Sequence, residues 1–120
     1  MKFTVPKSML VGDNGKFGVI NGRLLLSRRY RDAKAALHLH LLAQARRQKA
    51  HPLDGRVRLR GVVVWPDNHR RDMTMFVKVL HDALEGVAYH DDVQIWDYAY
   101  VRGENDRASP RVELVIEALG

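Results

Sequence analysis

The sequence predicts an α+β fold, a mixed β-sheet covered on one face by two helices. Two long stretches carry apolar residues at helical spacing, at least four shorter runs read as strands, and the two kinds of segment interleave along the chain. With 120 residues, 46% of them hydrophobic, the chain can fill one compact core but not two. Residues 1–120 are therefore read as a single domain.

The elements follow in order. Lys2 to Val5 form a short strand ended by Pro6. Residues 16–20 and 23–26 flank Asn21-Gly22, a pair that tolerates the positive φ angles of a two-residue hairpin turn. Ser27 offers an N-cap to a helix from 28 to about 50, where Tyr30, Ala33, Leu37, Leu41 and Gln44 recur at helical spacing and Pro52 sets a stop. Residues 57–65 alternate, with Val57, Leu59, Gly61, Val63 and Trp65 on one face and Arg58 and Arg60 on the other. This is a strand of the central sheet. After a polar connection at 66–71, a second helix is expected from Asp72 to Gly86. Its apolar side carries Met73, Phe76, Leu80, Ala83 and Leu84, and its polar side Thr74, Lys78, His81, Asp82 and Glu85. Residues 92–101 and 111–118 read as strands, expected to pair as a hairpin across the loop at 102–110.

The net charge of +6 favours a polyanionic partner, because phosphates neutralised by Lys and Arg release condensed counterions. The absence of cysteine excludes disulfides and thiolate metal sites and suits a reducing cytoplasm. Pro6 and Lys7 interrupt the N-terminus before a signal-like apolar run develops, and no run of about 18 apolar residues occurs, so a soluble, unprocessed protein with no membrane partner is expected.

Acids in so basic a chain call for a reason. Asp72 follows Arg70 and Arg71, Asp82 lies along the second helix, and Asp91-Asp92 head the next strand. Two unpaired carboxylates about 4 Å apart repel by roughly 4 kcal/mol at an effective dielectric near 20, so such a pair holds a proton or a cation. Against a scissile phosphate that cation is Mg²⁺, which takes oxygen ligands, activates water and stabilises the leaving oxygen. Strand parity would send Asp91 and Asp92 to opposite faces, so that at most one of them can share a site with Asp72, and only if the topology brings the two segments together. A plainer reading is also open: Asp72 as a helix N-cap, Asp91-Asp92 capping a turn, and Asp82 paired with Lys78 one helical turn away.

Several motifs in order resemble the RusA family of Holliday-junction resolvases: Pro6 with Ser8; Gly22, Arg23, Ser27, Tyr30 and Arg31; the run from Pro66 to Asp72; Lys78, Asp82, Ala83, Leu84 and Gly86; and Asp91, Asp92 and Gln94. The resemblance implies a RusA-like domain acting as a homodimeric, Mg²⁺-dependent endonuclease, with Mn²⁺ as a substitute, that resolves four-way DNA junctions by paired symmetric nicks in recombination and repair. It assigns the metal to Asp72 and Asp92, with Asp91 and Thr74 as further candidate ligands, and makes Lys78 a lysine needed for cleavage. His69, Arg70, Arg71 and Lys78 are the candidate DNA contacts. The sequence departs from the family's Asp-x-Asp-Asn pattern, with Thr74 in place of the second aspartate and Met75 in place of the asparagine. Lys7 and Leu10 likewise stand where the family often has proline and asparagine. A hydroxyl brings no charge to a hard cation, so the alternative is a weakened or inactive junction-binding protein of the same fold. A basic RNA-binding or structural domain is the third reading.

Other features are assigned to structure. His38 and His40 project about 200° apart on a helix and cannot chelate one ion. His90 is read as a surface residue. Trp96, Tyr98 and Tyr100 alternate along a strand, where packing is favoured over stacking on bases.

Overall fold

Four strands build the main sheet of the computed structural model, which describes residues 1–10, 17–20, 23–26, 28–72 and 75–120. The turn expected at Asn21-Gly22, the N-cap expected at Ser27, and Met73 and Thr74 lie outside the described residues. In chain order the elements are β1 (Lys2–Pro6), β2 (Phe17–Ile20), β3 (Arg23–Leu26), α1 (Arg28–Arg47), β4 (Val57–Val64), α2 (Val77–Ala83), β5 (Ile95–Arg102) and β6 (Arg111–Ala118). The main sheet runs β1-β6-β4-β5, and β2 and β3 form a separate antiparallel pair with Ile20 opposite Arg23. β4 pairs parallel to β5 and antiparallel to β6, so the mixed sheet read from the sequence is present.

The expected hairpin of the last two strands is not. β4 lies between β5 and β6 and pairs with both along its length, a central place that suits its apolar second half, Gly61 to Val64. The long loop after β5 crosses the end of β4 instead, with Gly103 and Asp106 donating N–H bonds of 2.9 Å to the carbonyls of Val63 and Trp65.

The helices share one face of the sheet with a core that includes Phe3, Leu37, Leu41, Leu59, Leu80 and Ile116, all at most 2% exposed. Gly61 is required there, since a Cβ would run into the Tyr100 ring. α1 also covers the sheet edge. Gln44 accepts from the Thr4 N–H and donates to its carbonyl, at 2.9 and 2.7 Å, and Gln48 does the same for Lys2. Two glutamine amides thereby stand in for a missing neighbour strand.

Two local departures bear on function. α2 starts at Val77, later than expected, and its N-cap is Phe76 without a side-chain bond, so Asp72 is not the cap. The chain from Trp65 to Asp72 is instead pinned as a loop by Arg71, whose guanidinium lies 2.7 Å from Asp67 Oδ1 and 5.1 Å over the Trp65 ring. In β5, Ile95 pairs with Val57 but Asp97 with Arg58, leaving Trp96 as the extra residue of a β-bulge. The alternation of Trp96 with Tyr98 and Tyr100 is broken there.

Candidate active site

The acids gather where α2 ends. Lys78 and Asp82 are one helical turn apart, with Nζ 3.1 Å from Asp82 Oδ1, and Glu85 continues that face just beyond the helix. The chain then reverses at Gly86, whose φ of +80° favours glycine and whose N–H donates to the Tyr89 carbonyl at 2.7 Å. The buried Tyr89 hydroxyl donates to the His81 carbonyl at 2.6 Å, fastening the return loop to the helix.

The loop leads into a 3₁₀ turn, Asp92–Gln94, and not straight into a strand, so the parity expected to separate Asp91 from Asp92 does not apply. Asp91 accepts from the Val93 N–H at 3.0 Å, while Gln94 Oε1 accepts from the N–H groups of His90 and Asp91 at 2.7 and 3.0 Å. Together they form a capping box. Gln94 Nε2 also donates to the carbonyls of Leu53 and Gly55, both at 2.8 Å, tying the turn to the chain before β4.

This leaves Asp92 to face α2. Its Oδ2 is 3.5 Å from Lys78 Nζ, and its backbone N–H donates to Glu85 Oε1 at 3.3 Å. Asp82, Glu85 and Asp92 each place a carboxylate oxygen within 4.8 Å of the others. The donor set fits a hard divalent cation, which takes oxygen ligands, and one lysine against three carboxylates leaves the cluster acidic. The hydrogen bond to Asp82, helped by the charge of Asp92, raises the Lys78 pKa and keeps its ammonium protonated.

Behind the acids, His81 is only 7% exposed, although the helical pattern set it on the polar side. Tyr98 and Tyr100 of β5 cover it, with Nε2 2.9 Å from the Tyr100 hydroxyl and the Tyr98 ring edge-on at 5.0 Å. Burial pushes its pKa down to about 4, against the pull of Asp92 and Asp82, so it is neutral near pH 7.

Most of the other expected site residues belong to the chain just before α2. Asp72 is exposed in the loop before α2 and is not a member of the Asp82–Glu85–Asp92 trio; Thr74 lies outside the described residues. Arg70 and His69 are exposed, the latter with Nδ1 3.3 Å from Asp67 Oδ1. Arg71 is 18% exposed and occupied by Asp67, whose carboxyl it holds down at a pKa of about 2, so this arginine braces the loop. His90 is exposed and pairs with Asp54 at 3.0 Å, in keeping with a surface role. Asp82 does pair with Lys78, but it also belongs to the trio.

Glu85 was missed, although its spacing of three from Asp82 put both on one helix face. The capping box was equally readable as Asp-x-x-Gln.

Among the described residues no helix is long and apolar enough to cross a membrane. Comparison with curated proteins gave no match. The family described as endodeoxyribonuclease RusA matches residues 9–117. The chain thus belongs to the RusA endodeoxyribonuclease family, whose members are in general divalent-metal-dependent nucleases that resolve Holliday junctions.

Proposed function

We propose that the protein is a Mg²⁺-dependent endonuclease that acts as a homodimer and resolves four-way DNA junctions by paired, symmetric nicks. The observation that carries this reading is the meeting of Asp92 with Asp82, Glu85 and Lys78 at one end of α2. In this proposal Asp92 and Asp72 are metal-binding acids. Asp82 and Glu85 supply the further negative charge that Thr74 does not bring, and Asp91 serves as the cap of the turn. A bound divalent ion supplies a Lewis acid that polarises the scissile phosphate and lowers the pKa of water.

The chain's own groups do the rest. Lys78 sits at the edge of the acid cluster, 51% exposed, where its ammonium can meet the negative charge that develops on the phosphate. Arg70 and His69 project from the loop before α2 and position the strand, while Arg71 keeps that loop in shape. A twofold dimer matches the near-twofold symmetry of a four-way junction, so two identical sites suffice for two cuts.

Thr74, standing where an acid is expected, favours a second reading: a junction-binding protein that cuts slowly or not at all. A labelled four-way junction incubated with Mg²⁺ or Mn²⁺ separates the two. Symmetric nicks support the endonuclease, and a shifted but uncut complex supports the binder. Equal affinity for junction and duplex in competition would remove both.

A further inference from the structure

A large aromatic side chain stands in solvent a few positions along the chain from Asp92. Trp96 follows Asp92 by four positions and sits at the bulge in β5, where the inserted residue is re-aimed away from the regular pleat. Its indole is 67% exposed, and the Arg56 guanidinium lies 4.9 Å from the ring centroid. Further along β5, Tyr98 is 54% exposed and meets His81, the neighbour of Asp82, edge-on. Tyr100 differs, packing against Phe76 and over Gly61.

We infer that Trp96, with Arg56 against it and Tyr98 on the same strand, is a stacking platform for an unpaired DNA base beside the acid cluster. The inference rests on the endonuclease reading. Every base offers a π face that an indole can accept without regard to sequence, and an arginine adds cation–π attraction and an opposite charge for the phosphate. In a duplex those faces are covered by neighbours about 3.4 Å away along each strand, so the bases that can reach the platform are those unstacked at a branch point. A second copy docked patch to patch would bring two Arg56 guanidiniums together; a DNA strand brings the compensating charge.

The test uses a four-way junction with 2-aminopurine at the branch point, in EDTA so that it stays intact. The chain has two tryptophans and Trp65 is 3% exposed, so quenching of tryptophan emission by DNA reports Trp96. Wild type should show that quenching together with a change in 2-aminopurine fluorescence. Trp96→Ala should lose both and bind the junction about 5- to 100-fold more weakly, with duplex affinity changed by less than about twofold. Trp96→Phe, which keeps a ring, should stay within about fivefold of wild type. The platform is overturned if Trp96→Ala binds the junction like wild type, if it loses duplex affinity equally, or if sedimentation shows that it has only become monomeric. Wild-type protein that ignores junctions altogether overturns the endonuclease reading as well, which distinguishes the two failures.

Discussion

The loop at 66–71 and the turn at 85–94 both set acids among bases, and Asp67 in the one and Asp92 in the other are used in opposite ways. In the loop, Asp67 is matched by Arg71, which lies over Trp65 and also reaches the carbonyls of Asp67 and His69, so charge is consumed in holding the chain. In the turn, Asp91 and Gln94 satisfy the backbone, and that economy leaves Asp92 to join Asp82 and Glu85 around a single lysine. Motif residues in a row thus divide into those that shape the backbone and those whose charge remains for chemistry. Hydrogen-bond partners tell them apart.

The contrast can be broken most severely at Gln94. Gln94→Ala removes acceptors and donors that serve four backbone groups, so it should lower stability by about 1–3 kcal/mol in urea titrations. By loosening Asp92 it should also cut junction cleavage about 10- to 100-fold. Full activity in the variant would mean that the turn does not position the acid.

Acid pH should separate the two regions. His81 has a folded pKa of about 4, below the 6.5 of an unfolded chain, so the unfolded state gains a proton that the folded state refuses. Stability should therefore fall as pH drops from about 6.5 to about 4, by about 3 kcal/mol at most, and His81→Gln should flatten that slope. Asp67 acts lower. Its folded value of about 2 lies under the usual 3.8, so its contribution is present above pH 3.8 and is lost as pH falls towards 2. Denaturant midpoints across a pH series would show two windows; a single transition below pH 4 would contradict the assignment to His81.

Thr74→Asp restores the charge that the family pattern expects two positions after Asp72. If the loop and the turn share one metal, apparent Mg²⁺ affinity in the cleavage assay should rise by up to about tenfold. No change would leave the metal to the turn alone.

What the sequence revealed follows from what each pattern encodes. Alternation at 57–65 identified β4 and its buried face, and helical spacing at 28–47 identified α1, because period and burial are local properties. Alternation names a face but not a partner, so β6 was assigned to β5 when it pairs with β4 and β1. Asp72 before an apolar run reads the same whether it caps a helix or ends a loop, and the Arg71 clasp that decides between them acts through the fold. The approach of Glu85 to Asp92 depends on the reversal at Gly86, where only the glycine itself was visible. The bulge at Trp96 is likewise not encoded in the alternation of Trp96, Tyr98 and Tyr100 along the sequence.

The central claim is that Asp92 is left unconsumed by the turn in order to bind a divalent ion against DNA. Asp92→Asn keeps the size of the side chain and removes its charge, so its effect on cutting and binding of a labelled four-way junction, measured side by side across Mg²⁺ concentrations, is the direct test. The account predicts cleavage reduced by at least about 100-fold with junction binding in EDTA unchanged. Cleavage at the wild-type rate, with the same Mg²⁺ dependence, would contradict it.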